Sequence, residues 1–395
     1  MYKLSSLNYV TDEPWEKELN CRVADLLEAK RNNLKTVVYL YEIADTSTFR
    51  YRVFNMYQSL ELSLHWHGTY FYKDELSVVE KYFEYIDLII IARFRWTFEI
   101  DELIYMAKKN DIKVVFEVDD LVYDLKYLPV IVNTLSVNMK EDRSYDYWFA
   151  YISRLNAVAK QCDAIITTNQ FLAQKMQNDL QKSSYVIQNF TNRYQEEISE
   201  FYFKQKQTEY STGKFVIGYF SGTPSHINDF LTVAPEIREL LEIYSDIQLR
   251  IVGFMEMPDS MRKLEEAGRI ERKPLVNFLD LQKEIAEVDV NIVPLVNNMF
   301  SNSKSELKFF EASIVGTVTC ATPSFIFKEV INDKVNGYLC ERGKWFNTIA
   351  DLYNSRKYNE NSVVNNSKDY CVKRYSYTNQ TKHIENVYDR IVGEV

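Results

Sequence analysis

The chain has no run of about 18 apolar residues, no C-x-x-C and no G-x-G-x-x-G, and each absence removes a class of protein. Without the apolar run no transmembrane helix is expected. The opening residues through Glu13 lack an apolar core and a cleavage site, so no secretory signal is expected. The five cysteines (Cys21, Cys162, Cys320, Cys340, Cys371) are scattered and odd in number. That pattern speaks against a disulfide framework and a zinc site, and for a reducing, cytoplasmic compartment. A net charge of −9 works against nucleic acid as a partner. No internal repeat or low-complexity tract is present. The aromatic residues, 29 Tyr and 23 Phe among them, are spread evenly and read as core, not as a base-stacking platform. A Tyr-rich surface would also be compatible with a lipid interface.

What is present is an alternation. At 395 residues the chain is too long for one typical core, so two domains are expected. Residues 36–41, 87–91, 113–118, 164–168 and 185–188 read as strands, with helical patterns near 50–62, 97–109, 145–161 and 170–181. The scheme restarts with strands at 214–220, 248–252, 290–293 and 318–321, and helices near 228–243, 277–287 and 303–315. Strands separated by helices at this spacing form right-handed β-α-β units and a parallel sheet, here twice. The polar stretch around 191–213 reads as the linker. The expected organisation is a first doubly wound domain over 1–205, a second over 206–375, and a helix over 376–395 that packs back on the first. Ligands of such domains sit at the carboxyl ends of the strands, in the cleft between the two.

Three strand exits carry chemistry. Asp119 and Asp120 follow the apolar strand ending at Val118 and could bind sugar hydroxyls, coordinate a metal, take a proton or cap a turn. No third metal ligand is evident, and no metal is expected to be required. Arg93 follows Ile-Ile-Ile-Ala and could clamp an anion or pair with a neighbouring acid. Arg50 and Arg52 open a helix after the first strand, where they could serve an anionic ligand or face solvent. At the third exit, Ser221, Gly222 and Thr223 form a small-residue turn that feeds a helix starting near Asn228. Such a turn offers backbone N–H groups to phosphate, and His226 could hydrogen-bond a phosphate or sugar oxygen.

The densest signal is Asn-Ser-Lys-Ser-Glu-Leu-Lys-Phe-Phe-Glu-Ala-Ser-Ile-Val-Gly-Thr at 302–317. As one helix it places Lys304, Lys308 and Glu311 within roughly a 60° arc. Ser303 and Glu306 have the spacing of a capping box, and Gly316 that of a C-terminal cap. Two cations and a carboxylate aimed the same way suit a sugar phosphate, although a solvated ion-pair face has the same pattern.

In order along the chain, Arg50-Tyr51-Arg52, Ile-Ile-Ile-Ala-Arg, Phe-Glu-Val-Asp-Asp-Leu-Val-Tyr-Asp, Val-Ile-Gln-Asn, Ser-Gly-Thr-Pro-Ser-His with Asp229, Leu-Arg-Ile-Val-Gly, Asp-Val-Asn-Ile-Val-Pro-Leu, Lys-Ser-Glu-Leu-Lys-Phe-Phe-Glu-Ala and Asn336-Gly337 resemble bacterial glycosyltransferases of family 4. The set resembles the branch that assembles O-antigen, capsule and other surface polysaccharides, including rhamnosyltransferase-like members. The resemblance implies an α/β protein of the GT-B fold, two Rossmann-like doubly wound domains facing across a cleft. It implies a retaining transfer of a hexosyl or deoxyhexosyl group from a nucleotide-diphosphate sugar to a glycan hydroxyl, the acceptor being lipid-linked or protein-linked. With a lipid-linked acceptor, peripheral contact with the inner face of the plasma membrane would follow.

The family's two glutamates are separated by seven residues. Glu311 matches the second, which in the family binds ribose, and Ser303 stands where the first would be. By the same resemblance Lys304 and Lys308 would lie near the diphosphate with Ser221, Gly222, Thr223 and His226. Asp119, Asp120 and Arg93 would face the acceptor. The missing first glutamate also suits a second reading, a non-catalytic partner subunit of the same fold.

Overall fold

The computed structural model describes residues 2–9, 11–208, 213–222, 227–355 and 362–393. The first half forms a six-stranded parallel sheet from β1 (Lys35–Tyr41), β2 (Trp66–Tyr72), β3 (Leu88–Ala92), β4 (Lys113–Val118), β5 (Ala164–Thr167) and β6 (Ser184–Val186), in the order β2-β1-β3-β4-β5-β6. The second half repeats the plan with β7 (Phe215–Ser221), β8 (Ile247–Gly253), β9 (Ile270–Lys273), β10 (Val290–Val293), β11 (Val318–Ala321) and β12 (Tyr338–Leu339), in the order β12-β11-β10-β7-β8-β9. The two doubly wound sheets expected from the alternation are therefore present, each with helices on both faces.

The central strands are mostly apolar because both their faces are covered; β3 and β5 are buried at every position, while Glu117 in β4, Arg250 in β8 and Asn291 in β10 are buried polar exceptions. Three strands escape the hydrophobic pattern. In β2, Gly68 lets Tyr39 and Leu60 approach, since a Cβ there would lie 3.1 Å and 3.3 Å from their side chains. In β9 the sequence Ile-Glu-Arg-Lys reads as solvated, and β12 has two residues.

The stretch expected to be a linker contains the Arg193–Thr208 helix, which packs on the Phe278–Ala286 helix of the second half. Its Ser199 hydroxyl donates to Gln282 (2.9 Å), and buried Lys206 donates to Val288 O (2.8 Å) and Thr317 Oγ1 (2.6 Å). The start of the chain lies on the second half too, with Tyr2 N donating to Glu287 O at 3.1 Å. The terminal helix Tyr377–Gly393 packs on the Asn55–Leu60 helix of the first half. There the Tyr39 and Tyr388 hydroxyls meet at 2.7 Å. These crossings fuse one face of each sheet into a single apolar core, which runs from Trp15 and Phe54 through Phe278 and Phe310 to Tyr388.

The helix expected over 303–315 is shorter, Leu307–Ile314, and a separate short helix, Met299–Asn302, precedes it. Ser303 does not cap the second; its hydroxyl donates back to Met299 O (2.9 Å) and closes the first. Glu306 sits at the N-cap position, but its side chain turns into the interior. Gly316 does end the helix, with φ +74° and the Thr317 N–H on Ala312 O. Lys304 therefore lies in the turn between two helices, and the stripe is a turn residue plus two helical ones. The helix expected over 228–243 is split, into Ile227–Leu231 and Ala234–Ile243, with Pro235 in the first turn of the second.

Candidate active site

Register sets the first half of the site. Ala92 pairs with Glu117 across β3 and β4, so Arg93 and Asp119 emerge side by side at the carboxyl edge. Arg93 takes a left-handed conformation (φ +45°) while its N–H bonds Glu117 O at 2.8 Å, which turns its side chain along the edge. The guanidinium donates to Asp119 Oδ1 (2.8 Å), Thr48 Oγ1 (3.3 Å) and the Tyr151 hydroxyl (2.8 Å), with Asp120 at 3.9 Å. Thr48 donates to the other Asp119 oxygen at 3.1 Å. Burial would raise the Asp119 pKa, but Arg93, Arg52 and Thr48 outweigh it and hold the carboxyl below its usual range.

Arg52 is not on a solvated face. It is fully buried beneath this edge, donating to Glu117 Oε1 (2.5 Å), Ile187 O (2.8 Å) and Asn189 Oδ1 (2.9 Å). Burial pushes the Glu117 pKa up to about 7 against the pull of Arg52. The pair underpins Asp119 and ties β4 to the segment that leaves β6.

The second half closes on this edge through the turn before Leu307. Lys304 Nζ lies 3.6 Å from Asp120 Oδ1 and 4.4 Å from the Phe300 ring centroid. Asn169 of the first half fixes that turn by donating to Ser303 O (2.8 Å) and Lys304 O (3.2 Å). Lys308 stands one turn on, half-buried, 5.5 Å from the Tyr219 ring centroid. Burial lowers its pKa to about 8, with Lys304 adding to the effect and Asp229 and Glu311 opposing it. Glu311 is 3% exposed, and its Oε1 accepts from the Tyr51 hydroxyl (2.5 Å) and Gln195 Nε2 (3.3 Å), with Arg50 at 3.6 Å. The carboxylate expected at ribose is thus engaged by side chains from before the second sheet.

Ser221 ends β7, buried, its carbonyl accepting from Phe254 N at 3.0 Å. Gly253 (φ +94°) makes that approach possible, because a Cβ would lie 2.1 Å from Ser221 O. Among the described residues nothing lies within 4 Å of a Cβ added at Gly222. Thr223 and His226 lie outside the described residues. The structure thus brings Arg93, Asp119, Asp120 and Lys304 together, with Lys308 and Glu311 on the following helix and Ser221 and Gly222 on the neighbouring β7 edge.

Other features went unforeseen. Phe254 and Leu275, 47% and 55% exposed, stand at the exits of adjacent β8 and β9, an apolar edge suited to the face of a planar ring. No sequence signal marks them, since each is a single apolar residue in a loop. A cavity of about 680 Å³ opens between the halves, lined by Pro129, Val130 and Thr134 on one side and Leu231, Val296 and Asn298 on the other. Among the described residues, none of those foreseen for the site lines it. It adjoins them through Asp229, which accepts from Val296 N at 2.9 Å. Among the described residues no group of three or more His, Cys, Asp or Glu is placed to hold a metal ion, and no helix is long and apolar enough to cross a membrane.

Residues 214–355 match the family model described as glycosyl transferases group 1. No curated protein matches the chain by sequence. Among solved structures, a glycosyltransferase from Rickettsia africae ESF-5 is similar over 92% of this chain and 100% of its own, at 11% identity and a TM-score of 0.62. The sucrose-phosphate synthase of Thermosynechococcus elongatus is similar over 91% and 100%, at 11% identity and 0.60. Anabaena Alr3699/HepE, in complex with UDP and glucose, is similar over 90% and 100%, at 12% identity and 0.58. At such identities the likeness is one of fold. Residues 214–355 match the group 1 glycosyltransferase family model, and the two facing sheets give the whole chain the GT-B architecture.

Proposed function

We propose that the protein is a retaining glycosyltransferase that moves a hexosyl or deoxyhexosyl group from a nucleotide-diphosphate sugar to a hydroxyl of a glycan acceptor in surface-polysaccharide assembly. The observation that carries this is the meeting of Lys304 with Asp120 across the cleft, which sets a partly exposed cation of the stretch matching the group 1 family against the carboxylates of the first sheet. In this reading the diphosphate enters between them. Lys304, Lys308 and the backbone N–H groups at the Ser221–Gly222 turn offset the charge that grows on the leaving group. Phe254 and Leu275 take the base, and Glu311 exchanges Tyr51 and Gln195 for ribose hydroxyls.

The bond from the anomeric carbon to the diphosphate oxygen breaks as the acceptor oxygen bonds the same face. The acceptor proton passes to the departing phosphate, so no protein nucleophile is needed. Asp119 and Arg93 orient the acceptor. No metal ligand set is invoked, and the protein works in the cytoplasm, at the inner membrane face if the acceptor is lipid-linked. The test is Lys308→Ala and Glu311→Ala against a panel of nucleotide sugars. Turnover is expected to fall about 100-fold or more for Lys308→Ala, the scale of losing one transition-state contact. Unchanged turnover in both variants would remove the assignment.

A second reading, a non-catalytic partner subunit, draws on Ser303 at the position of the family's first glutamate and on the engaged state of Glu311. Thermal stabilisation by UDP, GDP or dTDP separates the two: a shift with one of them favours the enzyme, and no shift with any favours the subunit.

A further inference from the structure

The aromatic residues were expected to be core, yet the Asp142–Gln161 helix carries Tyr145, Tyr147 and Phe149 at 46%, 54% and 45% exposure, with Trp148 and Tyr151 half-buried beside them. The position of this helix follows from its length. Its end is pinned at the amino edge of the first sheet, where Asp163 N bonds Val114 O at 2.7 Å. Twenty helical residues span about 30 Å, whereas the six residues of β4 span about 20 Å. The helix therefore overshoots the carboxyl edge by about two turns, and the overshoot is its aromatic half. Tyr151 marks the crossing point, since its hydroxyl accepts from Arg93 Nε at 2.8 Å. One turn outward the Tyr147 ring lies within 8° of parallel to it, centroids 5.8 Å apart, and Trp148 stands edge-on to both.

We propose that Tyr147, Trp148 and Tyr151 form the platform on which the sugar rings of the glycan acceptor lie, leading its terminal hydroxyl to Arg93 and Asp119; this rests on the transferase reading above. Aromatic faces suit the C–H faces of pyranose rings, and the phenol and indole edges supply hydrogen bonds to ring hydroxyls. Exposed aromatics on a rigid helix bind with little loss of side-chain freedom. Charge separates this occupant from an anionic membrane. An interfacial helix carries excess Lys and Arg, whereas residues 140–149 hold Lys140 and Arg143 against Glu141, Asp142 and Asp146, a net of 2 − 3 = −1.

The experiment compares the full-length wild type with Tyr147→Ala/Trp148→Ala and Tyr151→Phe on an array of bacterial oligosaccharides, with UDP, GDP and dTDP melting shifts measured alongside. The wild type is expected to retain at least one oligosaccharide, and the double variant to bind it at least about tenfold more weakly with an unchanged nucleotide shift. Tyr151→Phe keeps its ring and is expected to retain binding. Equal binding by wild type and double variant overturns the platform. So does a wild type that binds no oligosaccharide, above all if it co-sediments with phosphatidylethanolamine–phosphatidylglycerol vesicles and the double variant does not. A wild type that no nucleotide stabilises overturns the transferase reading instead, and with it the acceptor role.

Discussion

One seam joins the two domains, and its two ends are built differently. At the cleft end Lys304 and Asp120 face each other at 3.6 Å, each about one-fifth exposed, beside the 680 Å³ cavity. At the hinge end Glu311 and Glu306 are 3% and 0% exposed. Glu311 is held by Tyr51, Gln195 and Arg50, and Glu306 Oε1 by Gln188 Nε2 (2.8 Å) and the Tyr375 hydroxyl (2.9 Å). Phe310 stacks on Tyr375 at 4.8 Å, continuing the shared apolar core. The difference follows from water. A loose ion pair at a wet cleft costs little to exchange for a ligand, while a sealed hydrogen-bonded group cannot leave its partners without a replacement. The cleft end is built to change occupants freely, whereas at the hinge end Glu306 holds the two sheets in register and Glu311 lets go of Tyr51 and Gln195 only for a ligand that replaces their hydrogen bonds.

The largest effect expected is at the cleft. With its pKa lowered to about 8, Lys308 carries its charge below that pH and loses it above. Donor turnover should therefore hold up to about pH 8 and then fall by about tenfold per unit in the wild type. Lys308→Arg keeps a cation at every accessible pH and should flatten the profile, even at reduced turnover. A pH–rate profile over pH 6 to 10 checks this, and a wild-type profile flat to pH 10 would detach Lys308 from the charge on the leaving group.

The hinge also loses as pH rises, but in stability and over a lower pH range. Burial pushes the Glu306 pKa up to about 7, with Tyr375 and Arg374 pulling it down and Glu329 adding to the rise; its Oε2 has no hydrogen-bond partner among the described residues. The raised pKa means that the folded chain binds this proton more tightly than the unfolded one. The contribution is whole below the ordinary carboxyl pKa and is lost as pH rises to about 7. Glu306→Gln keeps an acceptor for Tyr375 and removes that loss. It should match the wild type near pH 4.5 and gain about 1–3 kcal/mol by pH 8, read by denaturant unfolding. An equal difference at both pH values would mean the carboxyl does not titrate in the folded state.

Much of this was legible where one physical signal dominated. The buried central strands are predominantly apolar runs, and the charged residues just beyond two of them are the strand exits Arg93, Asp119 and Asp120. Signals failed where tertiary packing decided. Glu306 has the spacing of a capping-box residue inside a helix begun at Ser303, but Gln188 and Tyr375, 118 and 69 residues away, draw it inward, and the helix starts only at Leu307. Arg52 lies in a polar-looking triplet at a helix start, yet it is buried, paired with Glu117 of β4. The 191–213 stretch looks like a linker because its helix owes its burial to Gln282 and Thr317. The overshoot of the Asp142–Gln161 helix is a difference between two element lengths, and even spacing of aromatics conceals it.

The smallest effect sharpens the contrast between the two ends of the seam, because Tyr51 and ribose compete for one carboxylate. Tyr51→Phe removes one hydroxyl from a buried contact while leaving the ring against Phe310. The loss should be about 1 kcal/mol, a fall in Tm of about 2 °C in a chain of this size. If donor binding must displace the phenol from Glu311, the same variant should bind donor about two- to fivefold more tightly, since that bond no longer has to be broken. Glu311→Gln should lose donor affinity in both the wild-type and Tyr51→Phe backgrounds. Donor KM and Tm measured on the four proteins separate the contributions. A rise in KM for Tyr51→Phe would make the phenol a donor ligand and overturn its competition with ribose for Glu311.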